Sequence, residues 1–75
     1  MWKGVLFQNG DGGYAFAIRG KDHEQELLEV LNGVDGRIQL SNVLECPSYE
    51  GVRDELKKAA RYLEITVPGL NDEHN

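Results

Sequence analysis

The stretch Asn9-Gly10-Asp11-Gly12-Gly13 constrains this chain more than any other. Asn-Gly and Asp-Gly pairs supply the positive φ values that tight hairpin turns need. Before the turn, Val5, Leu6 and Phe7 favour extended structure. After it, Tyr14, Phe16 and Ile18 alternate with Ala15, Ala17 and Arg19. The pattern predicts a β-hairpin with strands over residues 2–8 and 13–19. Tyr14, Phe16 and Ile18 are expected on the face that meets the helices, which leaves Ala15 and Ala17 on the other.

Two helices follow from caps and periodicity. Asp22 is a good N-cap, and Gln25 stands three residues later as in a capping box. Leu27, Leu28 and Leu31 then form a stripe at one-turn spacing, closed by Asn32-Gly33. The second helix opens at Pro47-Ser48 with Ser48 as N-cap, and Tyr49, Val52, Leu56, Ala59, Ala60 and Leu63 lie on one face. Between the helices, Val34-Asp35-Gly36 reads as a turn and Arg37 to Leu40 as a strand that continues towards Leu44. Leu40 and Val43 are out of phase, so a bulge or break is expected near Ser41-Asn42. Ile65, Thr66 and Val67 suggest a last strand, stopped by Pro68-Gly69.

The order β-β-α-β-α-β predicts an α+β fold: a small two-layer sandwich with a mainly antiparallel sheet and two helices on one face. The 75 residues suffice for one domain, expected over 1–68, with 69–75 as a flexible tail. A domain of this size buries only roughly 60% of its extended-chain surface, so self-association would add useful burial.

Two stretches resemble HicB-like antitoxins of bacterial toxin–antitoxin pairs. The first is Val5-Leu6-Phe7 followed by Asp11-Gly12-Gly13-Tyr14 and the strand to Ile18. The second is Ser48-Tyr49-Glu50-Gly51-Val52, leading through Lys57 and Ala59 into Tyr62-Leu63-Glu64. The resemblance implies a partly degraded RNase-H-like domain that binds a small basic toxin and tends to dimerise. The segment from Lys21 to Gly36 is extra to that pattern, and no DNA-binding domain follows the C-terminal strand.

Few residues suggest chemistry. Asp11, Gly12 and Gly13 could converge their amides as an anion-binding nest, but no P-loop Gly-Lys-Ser/Thr follows. Cys46 precedes a helix, yet a nucleophile needs a base, and the histidines are only His23 and His74. Asp22, His23 and Glu26 lack further ligands at useful spacing, so no metal or other cofactor is expected. Glu50, Asp54 and Glu55 read as a solvated helix face. A single cysteine and the absence of a signal-peptide pattern or a long apolar run suggest a cytoplasmic protein without membrane contact.

Net charge decides among the remaining classes. At −5, with no Lys/Arg run longer than Lys57-Lys58, the chain is a poor binder of nucleic acid or anionic membranes. The reading is therefore a small acidic protein-binding module, antitoxin-like or inhibitory, with a basic protein partner, and not an enzyme. The alternatives are a structural or phage-type accessory protein that forms homo-oligomers, and a small hydrolase or thiol-dependent enzyme. Trp2, Tyr14, Ala15, Ala17, Tyr49 and Tyr62 are the candidate interface. The sheet face bearing Ala15 and Ala17 is expected to take a second copy.

Overall fold

The computed structural model of the chain describes residues 1–72. The hairpin forms as expected, with β1 over Trp2–Gln8 and β2 over Tyr14–Gly20, paired antiparallel from Trp2↔Gly20 to Gln8↔Tyr14. Helix α1 spans Gln25–Leu31 and α2 spans Tyr49–Leu63, with a short 3-10 turn at Val34–Gly36. Strands β3 (Ile38–Gln39) and β4 (Leu44–Cys46) both run antiparallel to β1 along its other edge. The fold is α+β: an antiparallel four-stranded sheet with two helices.

β3 and β4 are one strand broken where the change of phase occurs. Leu40 N–H donates to Leu6 O at 2.8 Å, and Leu44 pairs with Gly4, so residues 41–43 stand opposite Val5 alone. The ladder donor stranded by this break is Leu6 N–H, and Ser41 Oγ accepts it at 2.9 Å. A side chain thus replaces a missing backbone acceptor inside the sheet.

The helices lie on opposite faces, a correction to the expected two-layer sandwich. Leu6 and Ile18 pack with Val52, Leu56 and Ala60 of α2, whereas Val5, Phe7 and Ala17 pack with Leu27 and Val30 of α1. Successive strand residues point to opposite faces, so the molecule has three layers, helix–sheet–helix. The reason is visible in β1, whose residues Gly4, Val5, Leu6 and Phe7 are all buried. A run that does not alternate needs cover on both sides. Gly4 also sets the approach of α2: a Cβ there would overlap Val52 Cγ1 and stand 3.0 Å from Leu56 Cδ1.

The caps divide in the same way. Ser48 Oγ accepts Gly51 N–H at 3.0 Å, so α2 starts where expected. α1 starts after Glu24 with no side-chain cap, and Asp22 lies in the preceding turn. The buried face of α1 is Leu27 and Val30, and Leu28 and Leu31 are exposed.

The expected last strand does not form. Glu64 adopts a left-handed conformation (φ 59°) and ends α2. Asn71 then clasps the chain: its Oδ1 accepts Val67 N–H at 2.7 Å, and its Nδ2 donates to Ile65 O at 3.0 Å. Asp72 Oδ1 accepts Gly69 N–H at 2.9 Å. Val67 and Leu70 are fully buried against α2 and the sheet. Of residues 69–72, expected in a tail, Leu70 therefore belongs to the core and Asn71 ties the segment to the residues before it; the rest of that tail lies outside the described residues.

Three substitutions test this account by urea denaturation. Gly4→Ala is expected to cost about 1–3 kcal/mol by overpacking. Gly20→Ala should cost much less, because its new methyl would meet only the Trp2 ring, at 3.7 Å or beyond. Ser41→Ala should cost about 1–3 kcal/mol, because it leaves a buried Leu6 N–H without its acceptor.

Candidate protein-binding faces

The residues suspected of chemistry are not assembled. Gly13 N–H donates to Asp11 Oδ1 at 2.9 Å, and Gly12 N–H donates to Asn9 O at 2.9 Å. The turn spends these amides on itself, so it is not an anion nest. Cys46 packs on the α2 face, whereas His23 sits beside α1 on the other. The sheet stands between thiol and imidazole, and His74 lies outside the described residues. Glu26 is engaged by Arg19 and Arg37. Among the described residues, no group of three or more His, Cys, Asp or Glu could hold a metal ion. Glu50, Asp54 and Glu55 are exposed along α2, with Glu55 3.2 Å from Lys58.

The six candidate interface residues are scattered. Trp2 and Tyr49 meet edge to face at 5.5 Å between centroids and half-bury each other. Ala17 is 1% exposed and Ala15 half-buried beneath α1. The sheet face expected to receive a second copy is therefore already covered by the chain's own helix. Tyr14 remains partly open near the turn, and Tyr62 is 88% exposed.

The hairpin's outer edge is also guarded. Leu6 directs its N–H and C=O to Ser41 and Leu40, away from β2. By antiparallel alternation, its partner Phe16, and with it Tyr14 and Ile18, aim their backbone groups at the free edge of β2. Arg19 Nη1 folds back and donates to Ile18 O at 2.8 Å. A charged side chain on an edge strand opposes further strand pairing.

Among the described residues, two open faces carry exposed large apolar side chains beside a cleft, one on each side of β4. The first belongs to α1. That helix has only 7 residues, too few to be stable alone, so its attachment matters. Lys3 reaches Glu24 at 3.4 Å, Arg19 pairs with Glu26, and Arg37 reaches Glu29 at 3.4 Å and Glu26 at 4.0 Å. Each basic residue comes from the sheet side and each acid from the helix. Arg37 also lies 5.5 Å from the centre of the Phe7 ring. On the outer side of α1, Leu28, Leu31 and Val34 are 51%, 46% and 40% exposed. Leu28 and Leu31 line a cleft of about 340 Å³ between α1 and β4, together with Leu27, Val43, Lys3, Glu24 and Glu45. Asp22, Asp35 and Glu45 are exposed nearby. Sequence reasoning missed this face because it assigned Leu28 and Leu31 to the core.

The second face lies between α2 and the broken strand. Leu40, Leu44, Ala59, Tyr62 and Leu63 line an open cleft of about 670 Å³, with Glu55 and Lys58 along its rim.

No family model, curated protein or solved structure matches the chain. Among the described residues, no helix is long and apolar enough to cross a membrane.

The ionic attachment of α1 has a measurable consequence. Partly exposed ion pairs weaken with salt, and local opening draws on regions with few buried contacts. Hydrogen exchange should reach the α1 amides well before those of α2 near Val52 and Leu56, and added salt should widen the gap. Equal protection in the two helices, unmoved by salt, would show that the pairs do not hold α1.

Proposed function

We propose that this chain is an acidic protein-binding module, and that its α1 face recognises a basic protein through an apolar anchor. The observation that carries the reading is the exposed stripe Leu28, Leu31 and Val34 beside an apolar cleft with acidic residues at its rim. Large apolar side chains contiguous on a surface and edged by charge are a mark of interaction sites. The acids Asp22, Asp35 and Glu45 steer a basic partner to the stripe, and burial of the leucines holds it there. An inhibitory, antitoxin-like role fits this mode, because masking a basic protein needs no chemistry from the binder. The helix that carries the stripe lies in the Lys21–Gly36 segment that the HicB-like pattern lacks, so the recognising surface is this chain's own. The separation of Cys46 from His23 by the sheet supports a non-enzymatic reading over a thiol-dependent one.

The test compares the wild type with a Leu28→Ser/Leu31→Ser double variant as immobilised bait in extract from the source cells. Both positions are half-exposed, and circular dichroism checks that the variant stays folded. The expected result is a basic protein retained by the wild type, released by salt, and bound at least about tenfold more weakly by the variant, equivalent to 1.4 kcal/mol. Retention of nucleic acid alone, or of a partner indifferent to the variant, would sink the reading.

A further inference from the structure

The α2 cleft differs in kind from the α1 face. Several of its polar groups are satisfied from within. Gln39 Nε2 donates to Ser41 O at 2.7 Å, and Ser41 Oγ both accepts Leu6 N–H and donates to Asn42 O at 3.0 Å. Glu55 and Lys58 stand 3.2 Å apart and cancel. What remains is apolar: Leu40, Leu44 and Ala59 on the floor, with Leu63 39% exposed at one end. Tyr62, beside the cleft, is 88% exposed, and Ile38, on the same side of the strand as Leu40, is 57% exposed. Such a site makes little use of an anion or a highly charged partner.

We infer that this cleft is an interface between two copies of the chain, with Tyr62 of each copy seated in the cleft of the other. Charge is the first argument. A protein of net charge −5 repels itself, and the self-cancelled Glu55–Lys58 rim offers a face where that repulsion is small. Self-complementarity is the second. A two-fold interface uses the same patch on both partners. Glu55, Lys58, Ala59 and Tyr62 recur at helical spacing on one side of α2. Two such helices running antiparallel, with the axis between Lys58 and Ala59, set Glu55 of one copy opposite Tyr62 of the other, and Lys58 opposite Ala59. The Tyr62 hydroxyl can then donate to the facing Glu55 carboxylate while its ring enters the cleft. Ala59 at the crossing lets the helices approach closely. Area is the third argument. A stable dimer buries about 800 Å² per partner, about a sixth of this chain's 4813 Å². Fifteen residues of α2 extend about 22 Å, so a dimer of that size must cover this helix together with the β3–β4 strand beside the cleft.

The test is the mass of the whole chain in solution by light scattering or sedimentation across a broad dilution series. The wild type is expected to reach twice the chain mass. Tyr62→Glu, at a position too exposed to endanger the fold, should raise the dissociation constant at least about thirtyfold with an unchanged melt. A second measurement fixes the geometry. In a Cys46→Ala background, a Glu55→Cys chain mixed with a Tyr62→Cys chain should form a covalent mixed dimer under mild oxidation. A wild type that stays monomeric, a dimer that survives Tyr62→Glu, or failure of the mixed cross-link would each overturn the proposal. The Leu28→Ser/Leu31→Ser variant should leave the dimer intact, so the two surfaces stand or fall separately.

Discussion

Strand β1 buries Gly4, Val5, Leu6 and Phe7 in succession, and the other three strands and both α-helices all contact it. Its edges take β2 on one side and the broken β3–β4 strand on the other. Its faces take α2 and α1. Because neighbouring residues point oppositely, one short strand supplies both halves of a divided core. Leu6 belongs to the α2 half, and Val5 and Phe7 to the α1 half. Gly4, on the α2 side, leaves the space that Val52 and Leu56 of that helix fill. A chain this small cannot build one thick core, and sharing a central strand between two thin ones is the alternative it uses.

The two halves are held by different forces. The α2 half is the larger apolar cluster, sealed by the buried Val67 and Leu70 and pinned by Arg53, which donates to Gly69 O at 2.7 Å and lies over the Phe16 ring. The α1 half has fewer apolar residues and relies on Lys3, Arg19 and Arg37 reaching across to Glu24, Glu26 and Glu29. This use of positive charge shapes the surface as well. Lys3, Arg19 and Arg37 are committed to the acids of α1 itself, while Asp22, Asp35 and Glu45 stay exposed around it. The acidic character of the face proposed for binding is tied to the way its helix is attached.

The turn residues and the α2 periodicity made the hairpin, the Ser48 cap and the break at Ser41-Asn42 legible. The layering was legible too, in a signal given too little weight: Val5-Leu6-Phe7 is an unbroken apolar run, and only a strand covered on both faces carries one. Reading the alternation of β2 alone placed both helices on one side and left Ala15 and Ala17 open. The last strand was misjudged because Ile65, Thr66 and Val67 have β propensity, and propensity does not show where backbone donors find acceptors. Asn71 and Asp72 supply those acceptors from a segment that reads as a polar tail. Tyr62 was legible as an interface candidate because an aromatic lies beside the α2 stripe. The α1 face was not, because Leu27, Leu28 and Leu31 look like one stripe, and only the tertiary packing shows that Val30 replaces Leu28 and Leu31 on the buried side.

The weak attachment of α1 bears on how its face would work. A ligand that binds only the folded state stabilises that state in proportion to its saturation. A partner that buries Leu28 and Leu31 does so on the layer with the least burial of its own, so the energy of docking and the energy of ordering α1 become linked. High salt then opposes binding twice: it screens the steering charges, and it loosens the clamps that hold the leucines in place. The α2 face has no such linkage, because its cleft is part of the better-buried half and its rim charges cancel locally. Salt, which screens the repulsion between two chains of net charge −5, should favour association there while weakening recognition at α1. On these proposals, the strand that divides the core also separates a surface whose binding salt weakens from one whose association it does not.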